Sequence, residues 1–188
     1  MRTLLCQVAL CLSLATAAHA QAFGIEQGTA IDKLPVVEDV GDGYYLVEAP
    51  NPVSFFESYV VFATENAGAC IVRGLGKTHE RDGYGLAVRD DFENLQAALD
   101  EKYGKGEMHS ALRRGAIWDE LDEWVMAIRQ NERYHQAEWR PEQETGVNEI
   151  ILTVKALSSD DSYVVLQYRF ANELACDDEI ASKDRSGL

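Results

Sequence analysis

The order of strand-like and helix-like stretches predicts an α+β domain, with an antiparallel sheet built from two hairpin regions and two central helices packed on one face. Two observations carry this. β-Branched and aromatic runs separated by turn chemistry gather toward both ends of the chain, and two stretches with helical spacing lie between them.

The elements follow in order. Thr29 is placed to cap one helical turn with Ile31 and Leu34 facing inward, and Pro35 stops it. Asp42-Gly43 marks a turn before a short strand over residues 44–48, ended by Pro50-Asn51-Pro52. The clearest hairpin pairs residues 58–64 with 69–75 across Glu65-Asn66-Ala67-Gly68. A polar connection then leads to a helix expected to open at Asp90, with Glu93 completing a capping box. Phe92, Leu95, Leu99 and Tyr103 form its apolar stripe, and Gly104 supplies a left-handed stop.

Residues 105–115 read as a basic, glycine-containing linker. Ile117, Trp118, Leu121, Trp124, Val125 and Ile128 then fall on one helical face, with Asp119, Glu120, Asp122 and Glu123 opposite. Either Asn131 ends that helix and residues 133–140 form a strand, or the helix runs on to Trp139 before Pro141; the first is favoured because two strands follow for it to pair with. Strands over 149–157 and 163–171 close the domain as a half-buried hairpin, with Ile150, Leu152, Val154 and Ala156 on one face and Val164, Leu166, Tyr168 and Phe170 on the partner's. Beyond Cys176 an acidic tail, residues 176–188, is expected to be loose. The two halves share a layout but no sequence repeat.

Residues 1–20 have the form of a secretory signal peptide: Arg2, an apolar run from Leu4 to Ala18, and the small-x-small site Ala18-His19-Ala20. The run falls short of the about 20 apolar residues a spanning helix needs. Cys6 and Cys11 lie inside it rather than after it, which argues against a lipid anchor. The expected mature chain, residues 21–188 with a single domain over 21–175, is therefore periplasmic or secreted without membrane insertion. The short leader and the lack of an Asn-x-Ser/Thr acceptor point to a Gram-negative source.

Removing Arg2 with the leader leaves 16 Lys and Arg against 32 Asp and Glu, a net charge of −16. Such a surface repels nucleic-acid backbones and would attract a basic exported protein or envelope component. The two cysteines that survive cleavage, Cys70 and Cys176, read as a disulfide tying the C-terminal tail to the sheet.

The motifs of common chemistries fail one by one. Gly74-Leu-Gly-Lys-Thr78 resembles a phosphate loop, but the required first glycine is Ile71 and no helix pattern begins at Lys77. Residues 38–43 hint at a calcium loop, yet with Gly43 at the sixth position Val40 and Ala49 occupy ligand positions. His79, His109 and His135 lack zinc spacing, no Gly-x-Ser-x-Gly elbow is present, and the acids are too many to single out a glycosidase couple. No metal or cofactor is expected.

Two features remain as candidate sites. One is a basic island between the first hairpin and the first helix, carrying Lys77, His79, Arg81, Tyr84 and Arg89. The other is the aromatic group Trp118, Trp124, Tyr134 and Trp139. The expectation is an exported, non-catalytic protein that binds another protein or an envelope component, an inhibitor or immunity-type protein being one subclass. The alternatives are a periplasmic hydrolase acting on cell-wall material and an envelope assembly or chaperone factor.

Overall fold

A computed structural model describes residues 20–142 and 145–186. The expected leader lies outside the described residues except for Ala20. Among them the chain begins with a small ribbon of β1 (Gln21–Ala22) and β2 (Ile25–Glu26), then a 3-10 turn at Ile31–Lys33. Thr29 does not cap that turn; its hydroxyl donates to the Glu26 carbonyl instead.

The main sheet has eight antiparallel strands: β3 (Val36–Gly41), β4 (Tyr44–Val47), β5 (Phe56–Thr64), β6 (Gly68–Gly76), β7 (Glu107–Leu112), β8 (Arg133–Trp139), β9 (Val147–Ala156) and β10 (Ser162–Phe170). Their spatial order is β3-β4-β5-β6-β10-β9-β8-β7. Two four-strand meanders thus meet edge to edge where β6 pairs with β10. The pairing is symmetric about Arg73 and Gln167, with Leu75 opposite Val165 on one side and Ile71 opposite Arg169 on the other. Each meander is followed by a helix, α1 (Leu86–Tyr103) after the first and α3 (Glu173–Ser186) after the second. The shared layout of the halves is therefore a shared topology.

One face of the sheet carries the main core. Alternation puts Tyr59, Val61, Val72, Ile150, Leu152, Val154, Val164, Leu166, Tyr168 and Phe170 there, all buried. Over β8, β9 and β10 this face is covered by α1 and by the short helix α2 (Trp124–Arg129). Over the first meander it is covered by residues 20–34, whose Phe23 ring stands edge-on to Phe56, 5.3 Å between centroids, and to Tyr168 at 5.6 Å. No helix among the described residues is long and apolar enough to cross a membrane.

α3 lies on the opposite face. It packs on β5 and β6 through Cys176 and Ile180, which meet Phe62 and Ile71, the neighbours of core-facing Val61 and Val72. Cys70 and Cys176 are joined in a disulfide, as the cysteine count implied. The stretch expected to be a loose tail is helix from Glu173 onward because this bridge and the Ile180 contact dock it on the sheet.

The two central helices need correction. α1 begins at Leu86 rather than Asp90: Asp82 supplies the cap, its two carboxylate oxygens accepting from the Leu86 and Ala87 amides at 2.9 and 2.8 Å. The second helix is only six residues, entered by a 3-10 turn at Leu121–Glu123 with a Glu120/Glu123 capping box. Ile117 and Leu121 are not on its buried face but 72% and 81% exposed. The Glu132 carboxylate accepts from the Ile117 and Trp118 amides and holds that stretch as a loop. Residues 105–115 contain edge strand β7 rather than a plain linker.

Candidate functional site

The basic island does not form one surface. Residues 79–83 are stitched to the β9–β10 connection: His79 and Ser162 exchange both backbone hydrogen bonds, and the Asp82 amide donates to the Asp160 carbonyl. Arg81 gives its amide to the Asp161 carboxylate. Lys77 and Tyr84 are exposed, whereas Arg89 sits in the first turns of α1 and points back, its Nε donating to the Gly85 carbonyl at 3.0 Å.

His79 Nε2 lies 2.6 Å from an Asp91 carboxylate oxygen. Ser162 is opposite His79 in the backbone pairing, so serine, histidine and aspartate meet here from three parts of the chain. The constellation is unsuited to nucleophilic catalysis. Ser162 is fully buried, its hydroxyl has no hydrogen-bond partner, and the aspartate occupies the histidine nitrogen that would face a serine in a working triad. The pair braces the loop to α1.

The aromatic group is divided as well. Trp124 and Trp139 are core residues, 8% and 3% exposed, and Trp139 donates from Nε1 to Asp100 at 3.0 Å. Trp118 is half-buried in the loop before α2, and Tyr134 projects from the opposite sheet face. Gly74 and Gly76 belong to β6, where a Cβ on Gly76 would meet Val164, so that segment cannot cradle a phosphate. Residues 38–43 form the exposed end of β3 and its turn. Among the described residues no group of three or more His, Cys, Asp and Glu is arranged to hold a metal ion.

One member of each candidate group comes together at a cationic cluster. Arg89 from α1 lies over the Trp124 ring with its guanidinium carbon 5.2 Å from the centroid, and Arg133 from β8 lies at 5.9 Å. The approach of α1 to Trp124 depends on Gly85, whose φ of +64° and lack of a Cβ leave room for the indole. His135 projects from β8 on the same face. Its ring is 4.4 Å from Phe92 and 5.6 Å from Trp124, and Ser110 Oγ contacts Nδ1 at 2.9 Å.

Burial, then the charges of Arg89 and Arg133, push the His135 pKa down to about 4. The unfolded chain takes up this proton near pH 6.5 and the folded one only near pH 4. This contribution to stability is thus intact above about pH 6.5 and is lost as pH falls toward 4, by about 1–2 kcal/mol after allowance for solvent screening. A His135→Asn variant should show a flatter stability profile over that window. NMR titration checks the cause directly; an imidazole midpoint near 6.5 in the folded protein would refute it.

Two concavities complete the candidate surfaces. The sheet face opposite α1 and α2 holds a shallow trough of about 420 Å³ across β6, β10, β9 and β8. Leu75, Ile151 and Val165 supply apolar contacts, and Arg73, Lys155, Gln136, Gln167 and Tyr163 surround them. Arg73 is positioned by a 2.6 Å hydrogen bond to Gln167 and by stacking on Tyr44. This lining contains two cations and no carboxylate. The second is a hollow of about 780 Å³ between the β3–β4 turn, the β5–β6 turn and α3, lined by Asp39, Asp42, Glu65, Glu179 and Asp184 with Lys183.

The trough was partly visible in the sequence, since Ile151, Thr153, Lys155 and Tyr163, Val165, Gln167 are the outward alternates of two legible strands. Arg133 and Ser110 carried no sequence signal, because the packing of α2 on β8 brings Arg133 to Trp124 and the β7–β8 register brings Ser110 to His135. No family model, curated protein or solved structure matches the chain.

Proposed function

We propose that the protein is an exported, non-catalytic binding protein that receives a protein partner on its uncovered sheet face. The observation carrying this reading is the trough. An eight-stranded sheet buries one face under α1, α2 and residues 20–34, while α3 covers only the β5–β6 end of the other. What remains is apolar at its floor and has Arg73 and Tyr163 at its margin, the residue types that dominate binding energy at protein interfaces. A disulfide and the leader-like residues 1–20 support export. The hydrolase alternative required His79, Arg81 or Tyr84 to line a cleft, and neither concavity is lined by them.

A second reading places a basic partner at the acidic hollow. Five carboxylates surround it, and the adjoining edge strand β3 leaves Val36, Val37 and Val40 exposed for contact. One capture experiment separates the two. The mature protein should retain a stoichiometric partner from periplasmic extract in moderate salt, and Lys155→Glu with Tyr163→Ala should abolish capture while Asp39→Lys with Asp42→Lys does not. The reverse pattern assigns the hollow. Recovery of no partner by correctly folded protein sinks both.

A further inference from the structure

Arg89 and Arg133 are an anomaly of charge in a chain with 32 acids and 17 bases. Both guanidinium groups lie against one indole, near enough that each lowers the proton affinity of the same histidine. Among the described residues neither has a carboxylate within salt-bridge distance. Arg89 uses Nε and one terminal nitrogen on the Gly85 and Tyr84 carbonyls. Arg133 makes no side-chain hydrogen bond there, and its Nε is sealed from solvent without an acceptor.

A buried N–H of a charged group is normally satisfied, and like charges brought together repel. The indole offers no acceptor for a planar N–H fork, and the two terminal nitrogens of Arg133 and one of Arg89 make no hydrogen bond among the described residues. Two acids of the adjoining segments serve the backbone instead: Asp82 caps α1, and Glu132 accepts from the Ile117 and Trp118 amides. Ser110, exposed at the edge of β7, leaves the cluster accessible from solvent.

We propose that Arg89 and Arg133, flanked by His135 and Ser110 and backed by Trp124, form a binding site for a phosphate group, free or carried as a monoester on a small ligand. Two guanidinium groups favour an anion with several acceptor oxygens and more than one negative charge. A tetrahedral phosphate supplies both, whereas a single carboxylate offers two oxygens and one charge. The inference is independent of the partner-binding trough, which lies on the opposite face of the sheet.

The test titrates the full mature protein with inorganic phosphate in low-salt buffer at pH 7, following the arginine Nε resonances by NMR. Arg133 Nε should shift saturably, and phosphate should bind at least tenfold tighter than acetate. Arg89→Gln and Arg133→Gln should each weaken binding at least tenfold, while Lys155→Gln in the trough leaves it unchanged. A phosphate-dependent rise in melting temperature, present in the parent and lost in Arg89→Gln, gives a second readout should Arg133→Gln fold poorly. A phenyl phosphate arm distinguishes a monoester site from one that admits only the free ion. Linear, non-saturating shifts, equal affinity for acetate, or undiminished binding in both arginine variants would overturn the proposal.

Discussion

Replacing Cys70 and Cys176 together by alanine is expected to lower the unfolding free energy by roughly 4 kcal/mol. The bridge joins residues 106 apart in sequence, so it removes a very large loop from the unfolded ensemble. It also fixes α3. Without it, a helix of 14 residues rich in Asp and Glu would rely on Ile180 and on Glu179, whose carboxylate accepts from the Asn66 and Ala67 amides. A helix of that length is marginal by itself in water. Urea unfolding should therefore show a lower midpoint, and hydrogen exchange should show the α3 amides losing protection first. A loss under about 1 kcal/mol, with α3 as protected as in the parent, would refute the account.

How much of this was legible follows from where burial tracks alternation. β9 and β10 were readable because Ile150, Leu152, Val154 and Val164, Leu166, Tyr168 alternate with residues of the other face that are half-exposed except for Val165, the pattern of a one-sided antiparallel pair. β3 was not: all six of its residues are exposed, so no inward set marks it, and it exists because β4 offers a free edge. β7 failed for a similar reason, an edge strand whose Glu-Met-His-Ser-Ala-Leu run has little strand propensity and no buried residue. The apolar spacing from Ile117 to Ile128 matched a helix, yet Glu132, distant in sequence from Ile117, decided the outcome by bonding the loop amides.

The candidate surfaces obey the same rule. Arg89 and Trp124 were each singled out, but in separate groups, because their meeting depends on a helix start set by Asp82 and on the missing side chain of Gly85. Lys155, Tyr163 and Val165 could be placed on an outward face by alternation alone. That no helix covers them could not be read, since it depends on α1 and α2 both choosing the other face. Local pattern specifies which side of a strand a residue takes; what lies above it is decided at long range.

The second large effect is expected at Gly68, where Ala should cost about 3 kcal/mol from two separable sources. Its φ of +65° is left-handed, a conformation that an L-residue adopts at a cost of about 1 kcal/mol or more. A Cβ there would also overlap the Gly28 carbonyl group and lie 2.8 Å from the Thr29 carbonyl oxygen, backbone atoms that no rotamer change can move aside. Those atoms are close because residues 28 and 29 are stitched to β6: the Gly28 amide donates to the Ala69 carbonyl at 2.8 Å and the Ala69 amide to the Thr29 carbonyl at 2.9 Å. Gly115 supplies the control. It has φ of +80° in a turn closed by the Ala116 amide donating to the Arg113 carbonyl, with nothing within 4 Å of its Cβ position, so Gly115→Ala should lose only the conformational part, about 1 kcal/mol. The difference between the two variants in urea unfolding then measures the clash alone. Because residues 20–34 cover the core face over the first meander, Gly68→Ala should also raise amide exchange at Gly28 and Ala69 while leaving α1 protected. Equal losses for the two glycines, or unchanged exchange at Gly28 and Ala69, would mean that the N-terminal segment is not held by this close approach.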